Sequence, residues 1–403
     1  MNLAEQCMSR RAVASCLSLL VCSVAIAAIA GYVAGPVGCD RPKPVRIGYV
    51  GSLTGPAAVV SISGRNGVIL AVAQINASGG IAGRPVELIT KDDRQDESIA
   101  VAVDKELIQE GVVAIIGHMT SAMSLAVLPV INAEKILMIS PASSTDALTG
   151  IDDYFFRVVN SYRAQTDRLA DYAFKTMGMK RMASITDLSN PEYSGGFCHN
   201  FQAEFEYLGG EFIKTVPFSS PPDVLDPGLV QQVIAAAPDG LLVVASGHDT
   251  AMICQQLKKL GSRIPVISSS WAMTTDLLDY GGQAVEGVTF CSSYDENNRS
   301  QEYVEFKQQF KKKFDAQPDF TALYAYEACR ILFKAVEKSQ DASGLKAAVL
   351  QQGTFPGLVW DIAINRFGDA HLGQYLTQVI DGEFRAIDSW TPDTGKPRMR
   401  GIQ

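Results

Sequence analysis

Side chains that carry out covalent or metal chemistry are scarce in this chain of 403 residues. It has four histidines, His118, His199, His248 and His371. None stands in H-E-x-x-H or another metal-ligand spacing. There is no G-x-S-x-G with a supporting triad order and no Walker A sequence. Eight cysteines are present but no C-x-x-C, which disfavours a metal or redox centre. Asp92-Asp93 and Asp152-Asp153 are the nearest approach to paired carboxylates. Adjacent side chains on a strand point to opposite faces, so neither pair is suited to shared acid–base work. These absences exclude the common hydrolases, metalloenzymes and nucleotide-driven enzymes. The expectation is a protein that is not an enzyme and needs no cofactor or metal.

Basic charge is also sparse. The net charge is −8, and charged residues make up 19% of the chain. No run of like charge stands out beyond Lys311–Lys313, which sits in a Gln- and Phe-rich helical stretch and reads as a solvated face. Without a basic stripe, nucleic acid is excluded as a partner.

The first forty residues are a targeting segment. Arg10-Arg11 precede an uncharged stretch from Ala12 to Ala34, and Gly35-Pro36-Val37-Gly38-Cys39-Asp40 follows. Three outcomes stay open. Cleavage before Cys39 with lipidation of that cysteine is one, since Gly38-Cys39 fits the end of a bacterial lipoprotein signal, although Pro36 stands where that pattern prefers leucine. Cleavage after Ala28-Ile29-Ala30 is the second. An uncleaved anchor is the third, the apolar run being about long enough to span a bilayer. All three put the body outside the cytoplasmic membrane. Cys7, Cys16 and Cys22 belong to this segment with Cys39. Cys198, Cys254, Cys291 and Cys329 lie far apart in the body. Cys254 and Cys329 fall among apolar helical positions and read as small core residues. Disulfides are permitted in that compartment, but the sequence does not pair them.

What the chain does have is a repeated strand–helix rhythm. Val45–Val50 is a short apolar run that fits a buried strand, and Gly51, Gly55 and Pro56 open a turn after it. Val68, Ile69, Val72 and Ile75 then recur at helical spacing, and Asn76 with Gly79-Gly80 stops that helix. Val86–Thr90 resumes as a strand. This is a βαβ unit with a polar, glycine-bearing loop at the carboxyl end of its first strand, where open α/β sheets bind ligands. Further strand candidates are Val112–Ile116, Leu137–Ile139, Met182–Thr186, Phe212–Val216, Leu241–Val244, Val266–Ser268 and Val288–Cys291. Helical patterns such as Ser98–Gln109, Gln165–Met177 and Thr250–Leu260 lie between them. Such alternation predicts an α/β protein with parallel sheets flanked by helices, and the rhythm occurs before and after about Asn160, as two similar lobes. Gln301–Phe314 and Ala322–Lys338 read as longer helices, and Phe367–Trp390 as strands with a turn at Asp381-Gly382.

I-G-Y-V-G-S-L-T-G-P from Ile47 and I-N-A-S-G-G-I-A-G-R-P-V-E-L-I-T-K-D-D from Ile75 resemble the opening of the type I periplasmic binding proteins, in particular the leucine/isoleucine/valine-binding group of ABC-transporter receptors. The resemblance continues through G-H-M-T-S-A-M-S at Gly117–Ser124, M-I-S-P-A-S-S-T at Met138–Thr145 and Y-G-G-Q-A-V-E-G-V at Tyr280–Val288. It runs to about Trp390. It implies two lobes joined by a hinge that the chain crosses three times, near Asn160, Ser293 and Gly368. Lobe one is then 41–160 with 294–367, and lobe two 161–293 with 368–391. The Pro-, Gly- and Arg-rich tail 392–403 reads as disordered.

The resemblance also implies a site. Strand Val112–Ile116 runs into a loop where Thr120 or Ser121 would cap the next helix. A helix N-terminus suits a carboxylate. Ser121 matches the serine that holds the ligand carboxylate in that family, and Thr120 a neighbouring pocket position. In the loop Ser140–Asp146, with hydroxyls at Ser143 and Ser144, Ala142 matches a carbonyl offered to the ligand ammonium. Ser144 matches a further carboxylate partner. Tyr193 matches the aromatic that closes over the ligand. Two loops depart from the amino-acid-binding pattern. Gly247 stands where an aromatic is expected, and Ser270 where an acid would meet the ammonium. Asp249 is a nearby acid that could replace it, and Trp271 a flat wall that could serve instead. The implied function is a monomeric extracytoplasmic receptor that binds a small carboxylate-bearing solute between its lobes. The solute is an amino acid, branched-chain or otherwise, or a related organic acid, and is presented to ABC permease subunits. A ligand-sensing receptor acting through a separate signalling partner is the alternative.

Overall fold

The computed structural model describes residues 42–55, 57–219, 226–339 and 341–390. The expected targeting segment with Cys39, and the tail after Trp390, lie outside the described residues.

Five parallel strands form the first sheet: β1 (Val45–Gly51), β2 (Val86–Asp92), β3 (Ala114–Ile116), β4 (Leu137–Ser140) and β5 (Phe155–Arg157). Their order is β2-β1-β3-β4-β5. Helices α1 (Ala58–Ala77), α2 (Glu97–Gln109) and α3 (Ser121–Glu134) connect the first four. Six of the seven residues of β1 are buried, as a strand covered on both faces requires.

The chain then builds the second lobe with α4 (Tyr162–Asp171), β6 (Arg181–Asp187), α5 (Pro191–Tyr207), β7 (Glu211–Phe218), α6 (Pro227–Ala236), β8 (Gly240–Val244), α7 (Gly247–Lys259), β9 (Val266–Ser268), α8 (Thr275–Gly281) and β10 (Thr289–Ser292). It returns to the first lobe for α9 (Gln301–Phe314), α10 (Phe320–Ser339) and α11 (Leu345–Gln352). A small antiparallel sheet follows, of β11 (Thr354–Phe355), β12 (Ile362–Ile364) and β13 (Ala370–His371). It ends in β14 (Gln374–Ile380) and β15 (Glu383–Trp390), which pair antiparallel at the edge of the seven-stranded second sheet, β15-β14-β10-β9-β8-β6-β7. Both sheets are thus mainly parallel and flanked by helices, as the alternation predicts.

Helix α1 is 20 residues long and apolar enough to cross a membrane by length and composition. Its apolar face is instead spent on α10. Thr321 Oγ1 donates to the Val60 carbonyl at 2.8 Å, Ser63 Oγ donates to Asp319 at 2.7 Å, and Tyr326 Oη donates to Gln74 at 2.6 Å. A side chain at Gly67 would collide with the Ala322 carbonyl, so the two helices approach this closely only because that position is glycine.

Some elements are shorter than the sequence pattern suggests. The third strand starts at Ala114 rather than Val112, and the helical stretch after Tyr162 turns π-helical at Tyr172–Thr176. Strand β5 carries no alternation that marks it, because three residues buried on all sides give no period.

Three passages link the lobes, after β5, after β10 and after β13. Asn160 joins one residue of each. Its amide Nδ2 donates to Ser293 Oγ at 3.1 Å and to the Leu372 carbonyl at 3.0 Å, and its Oδ1 accepts from Leu372 N–H at 2.8 Å. The side chain is buried, so these bonds stand in for water it has lost.

Candidate binding cleft

A cavity of about 840 Å³, counting the part open to solvent, lies between the carboxyl ends of the two sets of strands. Thr120, Ser121, Ala142 and Ser144 form the first-lobe wall, and Tyr193, Ser270 and Trp271 the second-lobe wall. Asn160, Ser293 and Tyr294 lie at the hinge end. The structure therefore brings together seven of the residues singled out from the sequence.

On the first-lobe wall β3 leads through Gly117–Thr120 into α3, which begins at Ser121. Thr120 holds the extended conformation of a cap residue, but its side chain makes no capping bond. Thr120 Oγ1 and Ser121 Oγ are both buried without a hydrogen-bond partner. The cap expected there is absent, and two hydroxyls are left facing a helix N-terminus. Burying an unpaired hydroxyl costs about 1–3 kcal/mol, so a partner supplied from the cavity would be favourable.

On the second-lobe wall the polar groups are paired. Ser270 Oγ donates to Gln165 Oε1 at 3.1 Å. Tyr193 is 7% exposed, and burial pushes its phenol up to about 12, with Ser269, Ser270 and the Trp271 N–H partly opposing that rise. Its ring meets Trp271 edge-on, with centroids 6.0 Å apart at 86°.

Three residues expected at the site do not reach the cavity wall. Ser143 Oγ is bonded to Ser124 Oγ at 2.7 Å and donates to the His118 carbonyl at 3.3 Å, behind the wall. Gly247 is the first residue of α7 and packs on Ala272 and Thr274, where no aromatic would fit. Asp249 closes the start of α7 on itself. Its N–H donates to Ser246 Oγ at 3.1 Å, and its carboxylate accepts from the same hydroxyl at 2.9 Å. An acid in the first turn is at home at the positive end of the helix. Among the described residues that line the cavity, none is acidic or basic.

Gln95, Gln165 and Asn190 line the cavity and were not legible as site residues. Gln95 follows the carboxyl end of β2, a position that could have flagged it. Asn190 stands just before Pro191 at the start of α5. Gln165 lies inside α4, where no strand-end rule applies. Two of them span the lobes. Gln95 Nε2 donates to the Ser189 carbonyl at 2.7 Å, and Asn190 Oδ1 accepts from Ala122 N–H at 3.4 Å. Farther out, Asp146 pairs with Arg163 at 2.7 Å and accepts from Asn200 at 3.1 Å.

Two sheets with their strand ends facing a cleft, bridged by three passages, define a two-lobed binding protein. The sequence profile described as "Periplasmic binding protein" matches residues 44–383, and the chain belongs to that family. It falls in the type I class, among the leucine/isoleucine/valine-binding group. The "Leu/Ile/Val-binding protein homolog 3" of Brucella melitensis is 26% identical over 342 residues, 83% of this chain and 89% of that protein. The crystal structure of a leucine-binding protein from Thermotoga maritima is 26% identical with a TM-score of 0.79, covering 87% of this chain and 99% of that one. A solute-binding protein of an ABC transporter from Rhodopseudomonas palustris, solved with 3,4-dihydroxybenzoic acid, is 25% identical with a TM-score of 0.77, covering 86% and 96%. The family consists of extracytoplasmic solute-binding proteins, and these relatives are binding proteins rather than enzymes.

Proposed function

We propose that this protein is the receptor of an ABC importer and that its solute is a carboxylic acid with an apolar or aromatic body and no ammonium group. One observation carries the choice of solute. The cavity offers two unpartnered buried hydroxyls at a helix N-terminus, and no acidic side chain among its described lining. Hydroxyls and helix N–H groups suit a carboxylate, and charge-assisted bonds of that kind contribute about 1.5–3 kcal/mol each. An ammonium buried in the same space would lack a counter-charge, which is costly. Tyr193 and Trp271, whose rings stand nearly perpendicular, supply an apolar aromatic corner for the body of the acid. The relative solved with 3,4-dihydroxybenzoic acid supports this reading. Closure of the lobes over the solute through the Asn160 hinge would then present one shape to permease subunits. The receptor acts as a monomer, tethered through a lipidated Cys39. Cys39→Ser then abolishes lipid labelling.

A branched-chain amino acid is the second reading. The leucine-binding relatives favour it, and the Ala142 carbonyl would be its ammonium partner. Titration calorimetry with leucine, isoleucine, valine, 4-methyl-2-oxopentanoate and 3,4-dihydroxybenzoate separates the two. At least one acid without an ammonium should bind tenfold or more tighter than any of the amino acids. Tight leucine binding with no response to either acid would reject the proposal.

A further inference from the structure

His118 lies fully buried two residues before Thr120, and the cleft does not use its side chain. Its Nδ1 is 2.7 Å from Asp93 Oδ2 and its Nε2 is 3.2 Å from Asp104 Oδ1, both carboxylates being fully buried. Asp93 follows β2, and Asp104 belongs to α2. The other Asp93 oxygen accepts from Ser52 Oγ at 2.6 Å, at the end of β1, and from Gln95 N–H at 3.0 Å. On its backbone side, the His118 carbonyl accepts from Ser140 Oγ at 2.7 Å and Ser143 Oγ at 3.3 Å. Ser140 Oγ in turn accepts from Ser143 N–H at 3.0 Å. One residue thus joins the ends of β1, β2 and β4 to the loop that carries Thr120 and Ser121.

We propose that His118 is a positioning residue of the cleft. It bridges Asp93 and Asp104 to hold the loops 117–121 and 140–144 in register with each other and with Gln95, a residue that reaches lobe two. It touches no solute. Both ring nitrogens face carboxylate oxygens, so both must donate, which only the doubly protonated ring does. Burial works against that charge, but Asp104 and Asp93 outweigh it and push the ring up to about 10. The ring keeps its proton across the neutral range, so it serves as a fixed cross-link and not as a proton carrier. This accounts for Ser143, which the sequence places in the site and the structure places in the scaffold behind it. The affinity readout below rests on the carboxylate reading of the cleft; the exchange readout does not.

His118→Gln and the milder Asp104→Asn test it. Hydrogen exchange should accelerate about tenfold or more at the amides of 117–121 and 140–144, while strand 240–244 in lobe two keeps its wild-type rate. Affinity for 3,4-dihydroxybenzoate should fall about tenfold or more in a variant that still melts cooperatively. Unchanged exchange in the two loops overturns the proposal. So does acceleration spread equally to 240–244, which marks a general loss of stability. If the wild type binds no acid probe, the carboxylate reading has failed, and the exchange pattern alone decides the role of His118.

Discussion

On the first-lobe wall Thr120 Oγ1 and Ser121 Oγ are buried with no partner, while on the second-lobe wall Ser270 already donates to Gln165 and Tyr193 is packed edge-on against Trp271. The first wall is short of acceptors and sits on the amino end of a helix. The second is largely complete and aromatic. A solute with one charged end and one flat apolar end meets both conditions, with the charge toward lobe one. The comparison separates two tasks that a list of lining residues merges. Under the proposed carboxylate reading, one wall recognises a charge and the other covers a shape.

The largest effect expected from breaking this asymmetry comes from Ser121. In Ser121→Ala a carboxylate loses a charge-assisted bond, and affinity for the acid should fall about tenfold to a hundredfold, from about 1.5–3 kcal/mol. Calorimetry showing wild-type affinity would mean the charged end does not lie at lobe one. Trp271→Ala should be milder, about five- to tenfold weaker, because it removes ring contact worth about 1 kcal/mol while the charged end stays held. An equal loss for an aliphatic and an aromatic acid would argue that the ring wall contributes only bulk. Asp249→Asn should change affinity less than twofold for any solute, since this carboxylate is engaged at the start of α7. A strong loss of amino-acid binding in that variant would restore Asp249 to the site. The smallest expected effect is that of pH. The lining tyrosines Tyr193, Tyr294 and Tyr324 are all pushed upward by burial, Tyr193 to about 12. They stay neutral while the solute carboxylate stays ionised, so affinity should be flat from about pH 6 to 9. A bell-shaped profile in that range would point to a titrating contact.

The sheets and most strand positions were legible because a parallel strand buried on both faces is a short apolar run with turn residues at its end. The strand ends where such sheets bind were legible for the same reason, and the resemblance to the leucine/isoleucine/valine-binding group implied Thr120, Ser121, Ala142 and Ser144 there. Strands β5, β11 and β12, and the pairing of β13 with them, were not. Segments of two or three residues carry no period, and only their neighbours decide that they pair.

The site shows the same division. A single sequence shows where a strand ends but not which of two adjacent side chains faces the cavity. Ser143 and Ser144 are neighbours, and the backbone turns one to Ser124 and the other to the cleft. Asp249 follows a buried strand as a ligand-binding acid would, yet its nearest hydroxyl, three residues back, takes its carboxylate. Gln165 has no local mark at all, and Asn160 was marked only through the family resemblance, as the site of a crossing. Gln165 reaches the cavity because α4 packs there, and Asn160 becomes the hinge pin because three passages far apart in sequence meet around it. By itself the sequence determined the α/β architecture and its repeat in two lobes, because hydrophobic period and turn residues are local, and its resemblance to a known family implied which loops face the cleft. Which side chains those loops present, and how charge is distributed across the cleft, was decided by tertiary structure, because hydrogen-bond partners drawn from distant segments fix each side chain's direction.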